Sequence, residues 1–341
     1  LLFSAIVFCV VLFKMEFGVI GDSDTFWHIK TGEWIVQNMQ LPHVDMFSHS
    51  FRGEPWIAKE WLSQLIFYGA YKAAGWKGVL LLTAAAIFST VWILSRFCLE
   101  RFRWSGAIAA MFVLVLFAAI HFLARPLILA FPILLIWTIE LANAADERRL
   151  PRWWMVPLIV LWTNLHGGFT LGLLLAGIFS AETVLAAGVQ ERVRVALKHG
   201  AFLVLLTLAT LLNPYGHEAL LITQKILELS APLKTINEWQ SPDFHSRRYH
   251  LFVLIGLLAM ALYSGFRLQR FRLVALLLLA FLMFTYTRSM PTFALLLPII
   301  IATPLTEQFA ATRSQSEPED WKNDPIFGWF LRHSAKLNGL T

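Results

Sequence analysis

Long apolar runs separated by short polar segments dominate the sequence, and they predict an all-α protein whose helices cross a membrane repeatedly. A helix needs about 20 apolar residues to cross the hydrocarbon core of a bilayer, with a range of about 17–25. The candidate spans are 1–19, 78–97, 106–123, 127–144, 153–165, 168–188, 200–213, 250–266, 273–287 and 291–309. The pattern therefore predicts a polytopic transmembrane helical bundle of about ten spans. We expect the short runs 153–165 and 200–213 to be tilted or to extend into flanking polar residues.

Basic residues follow alternate spans, and this alternation predicts the orientation of the bundle. After the second, fourth, sixth and eighth spans stand Arg96, Arg101, Arg103, Arg148, Arg149, Arg152, Arg192, Arg194, Lys198, Arg267, Arg270 and Arg272. The positive-inside rule places these loops in the cytoplasm. We therefore expect a membrane domain over residues 1–310, a short cytoplasmic tail over 311–341, and long outer loops over 20–77 and 214–249.

The first outer loop contains a further helical pattern. Residues 56–74 place Trp56, Trp61, Leu65 and Tyr68 at helical spacing on one apolar face. An amphipathic helix of this kind can lie along the membrane surface. We therefore expect the first outer loop to carry interfacial helices.

Composition agrees with a membrane protein and removes several functional classes. The chain has 341 residues, of which 57% are hydrophobic and 15% charged, whereas a soluble domain has about 25% charged residues. Its net charge of +6 is explained by the basic loops, so no nucleic acid partner is expected. The sequence contains no Walker A motif, no G-x-S-x-G and no H-E-x-x-H, so nucleotide hydrolysis, serine hydrolase and zinc protease chemistry lack support.

Most of the unusual polar residues fall on the side predicted to be outer. They are Asp22, Asp24, His28, His43, Asp45, Lys59, Glu60, Arg125, Asn164, His166, Asn213, Glu238 and Arg288. Ionisable groups at membrane depth are costly and by default mark function. We therefore expect a polar site that faces outward.

Acidic and histidine side chains in this set have both a functional and a structural interpretation. Asp22 and Asp24, two residues apart, can aim two carboxylates at one metal ion or one hydroxyl, but they can equally belong to a solvated loop or cap a helix. His28 and His166 are candidates for ligand or acid–base roles, or are satisfied structural groups. A divalent cation, if one is bound, has Asp22, Asp24 and His28 as candidate ligands.

The arginines and turn residues also leave two interpretations open. Arg125 and Arg288 present planar guanidinium groups suited to a phosphate, or they snorkel from helix ends. Asn213 to Gly216 is typical of a helix stop, and Gly167 with Gly168 of a tight turn or close packing. Glu238, beside Trp239, can bind a sugar or lie in water.

The motif over Asp22–Gln64 resembles the first outer loop of a bacterial branch of the GT-C glycosyltransferases. The resemblance is carried by Asp24, Phe26, Trp27, His28, Thr31, Gly32, Glu33, Leu41, Pro42, Asp45, Phe47, Ser48, Trp56, Glu60, Trp61 and Leu62. Matching pieces follow in order at Arg125-Pro126, Asn164 to Gly168, Asn213 to Gly216, Glu238-Trp239 and Arg288. The family is similar to protein mannosyltransferases and aminoarabinose transferases.

This resemblance implies an enzyme of the bacterial inner membrane whose active site faces outward. It implies a polyprenyl-phosphate-sugar donor and a glycan, lipid or protein acceptor, with inversion at the anomeric carbon. Asp24, or Asp22 if the loop is shifted, would be the general base, and Arg288, helped by Arg125, would hold the donor phosphate. Residues expected at the sugar or acceptor are Trp27, His28, Glu60, His166, Asn164, Tyr215 and Glu238.

The sequence leaves two other functional classes open. One is a transporter or flippase of a lipid-linked or anionic solute, although such proteins tend to show repeated halves and polar broken helices at the midplane. The other is a non-catalytic subunit of an envelope complex, in which the acidic loop would be a docking surface.

Overall fold

The computed structural model describes residues 21–221 and 235–309, and their regular structure is helical except for one antiparallel bridge between Val44 and Pro55. The helices are α1 (Ser23–Asn38), α2 (Trp61–Arg101), α3 (Trp104–Ala118), α4 (Pro126–Asp146), α5 (Met155–Leu165), α6 (Phe169–Ala186), α7 (Val189–Ala209), α8 (Arg248–Tyr263), α9 (Arg270–Thr285) and α10 (Met290–Gln308). Short 3₁₀ turns occur at Ala119–His121, Asn237–Trp239 and Thr287–Ser289. The expected first span, 1–19, and the expected tail, 311–341, lie outside the described residues.

Five segments are long and apolar enough to cross a bilayer. They are Trp61–Arg101, Trp104–His121, Pro126–Asp146, Phe169–Ala186 and Thr287–Gln308. The helices α5 and α8 are apolar but shorter. The all-helical fold is therefore confirmed for the described residues, and its long apolar helices are those of a membrane protein.

The helix α2 consists of two helical parts joined at a kink. Ala74 and Gly75 depart from helical geometry, with φ and ψ of −146° and 21° at Ala74 and of 59° and −145° at Gly75. The amphipathic helix expected over 56–74 therefore ends where it was predicted, but it begins at Trp61. Trp56 lies in the preceding loop and contacts Trp27 instead.

Two helices begin earlier than their apolar runs, and this corrects the assignment of several basic residues to loops. α7 begins at Val189, so Arg192, Arg194 and Lys198 lie within it. Long charged side chains are good helix formers, and the short connection at Ala187 and Gly188 leaves no room for a longer loop. In α9, Arg272 is fully buried, with Nη1 3.5 Å from the carbonyl oxygen of Ile300.

The described residues form two compact units that are interleaved in sequence. Those up to Ile93 and from Ile120 to Asn237 form the first unit, and those from Leu94 to Ala119 and from Glu238 onward form the second. In the first unit α4 and α7 each pack against α5 and α6. In the second unit α10 packs against α3 and α9, and α8 contacts α3.

Close packing in the first unit depends on a glycine of α6. A Cβ atom at Gly172 would lie 2.5 Å from the indole of Trp162. The Gly172 carbonyl also accepts a hydrogen bond of 2.9 Å from Trp137 Nε1. The indoles of Trp137 and Trp162 meet edge to face, 5.9 Å between centroids, and so fix α5 against α4 and α6.

Candidate functional site

The N-terminus of α1 begins with a carboxylate cap. Asp22 accepts a hydrogen bond of 3.0 Å from the backbone N–H of Asp24, which satisfies one of the N–H groups left unpaired at a helix start. Its other oxygen forms a short ion pair with Arg125 Nε. The Asp22 side chain is only 7% exposed. The hydrogen bond to the Asp24 N–H confirms that Asp22 caps α1.

Arg125 joins both expected carboxylates. Its Nη2 lies 3.2 Å from Asp24 Oδ2, and the Asp24 side chain is 53% exposed. Arg125 immediately precedes Pro126, the first residue of α4. The two elements are held together by a further hydrogen bond of 3.0 Å from the Thr25 hydroxyl to the carbonyl of Ala124. One guanidinium group therefore contacts a buried carboxylate on one side and an accessible carboxylate on the other.

The Asp22 carboxylate is anionic at neutral pH. Burial by itself would raise the pKa of Asp22, but the hydrogen bonds from Arg125 and from the Asp24 N–H, together with the positive charge of Arg125, lower it below the ordinary range. The ion pair is therefore present across the physiological pH range.

His28 lies one turn after Asp24 on α1. Its Nδ1 is 3.5 Å from Gln64 Nε2, while Gln64 Oε1 is buried and has no hydrogen-bond partner among the described residues. Burial lowers the pKa of His28, and this outweighs the attraction of Glu60 and Asp24 for the protonated ring. The imidazole is therefore neutral at neutral pH and can donate or accept one proton.

Glu60 and His166 form a carboxylate–imidazole pair. His166 Nε2 is 3.5 Å from Glu60 Oε1, and His166 Nδ1 accepts a hydrogen bond of 2.9 Å from the Gly168 N–H. Because Nδ1 accepts, the proton of the neutral ring lies on Nε2 and faces Glu60. An imidazole N–H therefore lies within 3.5 Å of a carboxylate oxygen. The tight-turn interpretation of Gly167 and Gly168 is confirmed by this contact.

Asn164 lies beside an apolar groove, and its side chain is hydrogen-bonded within the first unit. Its Oδ1 accepts a hydrogen bond of 2.8 Å from Trp61 Nε1, and its Nδ2 donates to the carbonyls of Val160 and Leu212. The groove has a volume of about 690 Å³ and is lined by Trp61, Leu62, Pro157, Val160, Leu161, Asn164, Leu211, Leu212, Asn213 and Pro214. An open apolar surface of this kind suits a hydrocarbon chain.

Tyr215, which is predicted to lie at the sugar or acceptor, makes structural contacts in the first unit. The side chain is 7% exposed. Its hydroxyl donates to the Pro42 carbonyl at 3.0 Å and accepts from the Ala58 N–H at 3.1 Å. Asn213 bonds to the backbone around it, and α7 ends at Ala209 just before this segment, as the helix-stop pattern predicts. The tyrosine hydroxyl is thus occupied by the two ends of the loop between α1 and α2.

The loop held by Tyr215 supports Trp27. The indole of Trp27 meets Phe47 and Trp56 edge to face, with centroids 4.9 and 5.6 Å apart. Asp45 closes the turn before Phe47 by accepting from the backbone N–H groups of Phe47 and Ser48. Trp27 remains partly exposed and is therefore accessible on one side.

In the second unit, Arg288 lies against Trp239 and Glu238. The guanidinium carbon is 4.4 Å from the indole centroid of Trp239, which is cation–π geometry. Arg288 Nη1 is 3.8 Å from Glu238 Oε1, longer than a hydrogen bond. The 3₁₀ turn carrying Arg288 is fixed by the N–H of Thr287, which donates to the Gln240 carbonyl at 2.8 Å.

The candidate metal ligands do not assemble into a metal site. Within residues 21–221 and 235–309, no group of three or more His, Cys, Asp or Glu side chains is placed to share an ion. The physical reason is that Asp22 is already bound by Arg125 and by the N-terminus of α1.

Comparisons with known protein families, with characterised proteins and with solved structures found no match for this chain.

Proposed function

We propose that this chain is an inverting membrane glycosyltransferase of the GT-C type. It would transfer a sugar from a polyprenyl-phosphate donor to a glycan, lipid or protein acceptor on the outer face of a bacterial inner membrane. The observation that carries the proposal is the arrangement of Asp22, Arg125 and Asp24. It places an accessible carboxylate 3.2 Å from a guanidinium group in a protein with several apolar helices long enough to cross a membrane.

Asp24, rather than Asp22, is the proposed general base. Its side chain is half-exposed and can reach an acceptor hydroxyl, whereas Asp22 is buried and caps α1. In the proposed step, Asp24 takes the hydroxyl proton while the acceptor oxygen attacks the anomeric carbon. The bond from that carbon to the phosphate oxygen breaks, polyprenyl phosphate leaves with the electron pair, and the anomeric configuration inverts.

Arg125 and Arg288 are the proposed cations for the donor phosphate. Charge develops on the phosphate oxygen as it leaves, and a guanidinium group stabilises that charge. The stacked position of Arg288 on Trp239 keeps its planar donors in a fixed orientation. Arg125 already forms an ion pair with Asp22, so Arg288 is the first candidate for phosphate binding and Arg125 the second.

Lipid-linked donors also need an apolar surface. The groove beside Asn164 supplies one in the first unit, and it begins at Trp61, the residue that follows Glu60. We further propose that the helices α5, α7, α8 and α9 also cross the bilayer, together with the five long apolar segments. With the run 1–19 they make the ten expected spans, with the basic ends in the cytoplasm.

The test is transfer of labelled sugar from polyprenyl-phosphate donors in proteoliposomes by the wild type and by Asp24→Asn. Loss of a general base lowers the rate by about 10²–10⁴-fold. Glu33→Gln is the matched control, because Glu33 lies on the same helix in a surface pair with Lys30. Full activity in both variants would overturn the role of Asp24, and retained folding is checked by thermal unfolding.

A further inference from the structure

The kink in α2 carries an aromatic cluster separate from the polar site. Trp76, just after the kink, meets Phe26 of α1 edge to face at 4.8 Å between centroids, and Tyr71 at 5.2 Å. We call Phe26, Tyr71 and Trp76 the kink cluster. Phe26 is 57% exposed and Tyr71 37%, so the cluster presents aromatic surface outward.

Two lysines adjoin the kink cluster. Lys72 follows Tyr71 and Lys77 follows Trp76, and both are exposed. Tryptophan and tyrosine side chains are typical of the headgroup layer of a bilayer, and lysines often accompany them there. An anionic headgroup complements the two ammonium groups.

The kink cluster lies at the junction between the two helical parts of α2. Before the kink, α2 packs one face into the first unit through Ser63, Gln64 and Phe67, which are buried. After the kink, α2 is continuous with a segment apolar enough to cross a bilayer. The turn depends on Gly75, whose φ of 59° is rare for residues with a side chain.

We propose that the kink cluster, with Lys72 and Lys77, seats in the headgroup layer of the bilayer and binds anionic phospholipid there. The rings lie at the boundary with the acyl chains, and the ammonium groups contact headgroup phosphates. This binding does not depend on glycosyltransferase activity. It sets the depth of α1, and with it the depth of Asp24, two residues before Phe26.

Nitroxide labels in nanodiscs test the depth. Phe26→Cys and Tyr71→Cys are labelled one at a time in the full chain carrying Cys9→Ser and Cys98→Ala, and label accessibility to oxygen and to a water-soluble nickel complex is measured. Two reference sites bracket the result: Phe51→Cys, in the loop and 66% exposed, and Leu81→Cys, in the apolar part of α2 and 63% exposed.

Labels at residues 26 and 71 are expected to give depths between those of the two references. A depth equal to that of the loop reference, or equal to that of the span reference, overturns the proposal. Each label removes only one ring, so each variant retains the contact of Trp76 with the other ring.

Charge selectivity is tested by comparing nanodiscs of phosphatidylglycerol with nanodiscs of phosphatidylcholine. The label at residue 71 is expected to lie deeper in the anionic discs. The shift should disappear in Lys72→Gln/Lys77→Gln and persist in Lys198→Gln, which changes an exposed lysine of α7. Equal depth in both lipids, or loss of the shift in Lys198→Gln alone, contradicts binding of anionic headgroups by the two lysines.

Discussion

At the residue scale, the Tyr215 hydroxyl joins two backbone groups that are far from it in sequence. It accepts from Ala58 and donates to Pro42, and so it closes the loop that carries Phe47 and Trp56. The same loop packs against Trp27, the residue before His28 on α1. The position of the candidate site therefore depends on a residue that need not touch a substrate.

Replacing Tyr215 by phenylalanine removes the hydroxyl and leaves a buried N–H and a carbonyl without that partner. The expected loss in the free energy of unfolding is about 1–3 kcal/mol, measured by unfolding in detergent micelles. The matched control is Tyr263→Phe, because Tyr263 is 96% exposed and its substitution should change stability by less than about 0.5 kcal/mol. Equal stability of both variants would contradict the loop-closing role.

The sequence predicts the residue types of the site better than their partners. Asp22, Asp24 and Arg125 can be singled out because charged groups beside apolar runs are costly, but nothing in the sequence shows that one arginine pairs with both acids. Gln64 was missed as a partner of His28. This contact depends on the close packing of α1 on α2, which the sequence does not show.

At the element scale, the contact between α1 and α2 depends on Gly32. A Cβ atom there would lie 2.2 Å from the carbonyl oxygen of Gln64 and 2.7 Å from the Cβ of Tyr68. The backbone of α2 leaves no space for a side chain at this point. The nearest atom is a backbone atom, so a Cβ at Gly32 would fit only if the two helices moved apart. Gly32 thus sets the separation between the helix that carries Asp24 and the helix that begins beside Glu60.

The substitution Gly32→Ala is therefore expected to separate α1 from α2. Overpacking of this kind costs about 1–3 kcal/mol, and displacement of His28 from Gln64 should also lower sugar transfer. Gly69→Ala in α2 provides the control, since no atom lies within 4 Å of its added Cβ. Thermal unfolding and transfer are measured for both, and a Gly32→Ala protein as stable and active as the control would refute the close contact.

The apolar pattern predicts where helices lie but does not fix their first residues. The kink of α2 coincides with Gly75, and the sequence predicts the end of the amphipathic part there. The run 200–213 extends into flanking polar residues, as expected, because α7 begins at Val189. The correction concerns Arg192, Arg194 and Lys198, which lie in this helix and not in a loop, and Arg270 and Arg272, which lie in α9. Charged side chains continue a helix as readily as apolar ones do, so polarity alone does not mark its first turn.

At the scale of the whole molecule, the chain forms two units from interleaved segments. Apolar runs predict the helices within each unit but not this division, because it depends on contacts between residues far apart in sequence. Asp24 and Arg125 belong to the first unit, and Arg288 with Trp239 to the second.

The most direct measurement of the central claim is transfer by the purified wild type in proteoliposomes, followed by determination of the anomeric configuration of the product. A panel of polyprenyl-phosphate sugars serves as donors, with glycan, lipid and peptide acceptors. We predict transfer that requires the lipid phosphate and gives a product with the opposite anomeric configuration from the donor. A product that retains the donor configuration, or a folded protein that transfers no sugar from any donor of the panel, would contradict the assignment as an inverting glycosyltransferase.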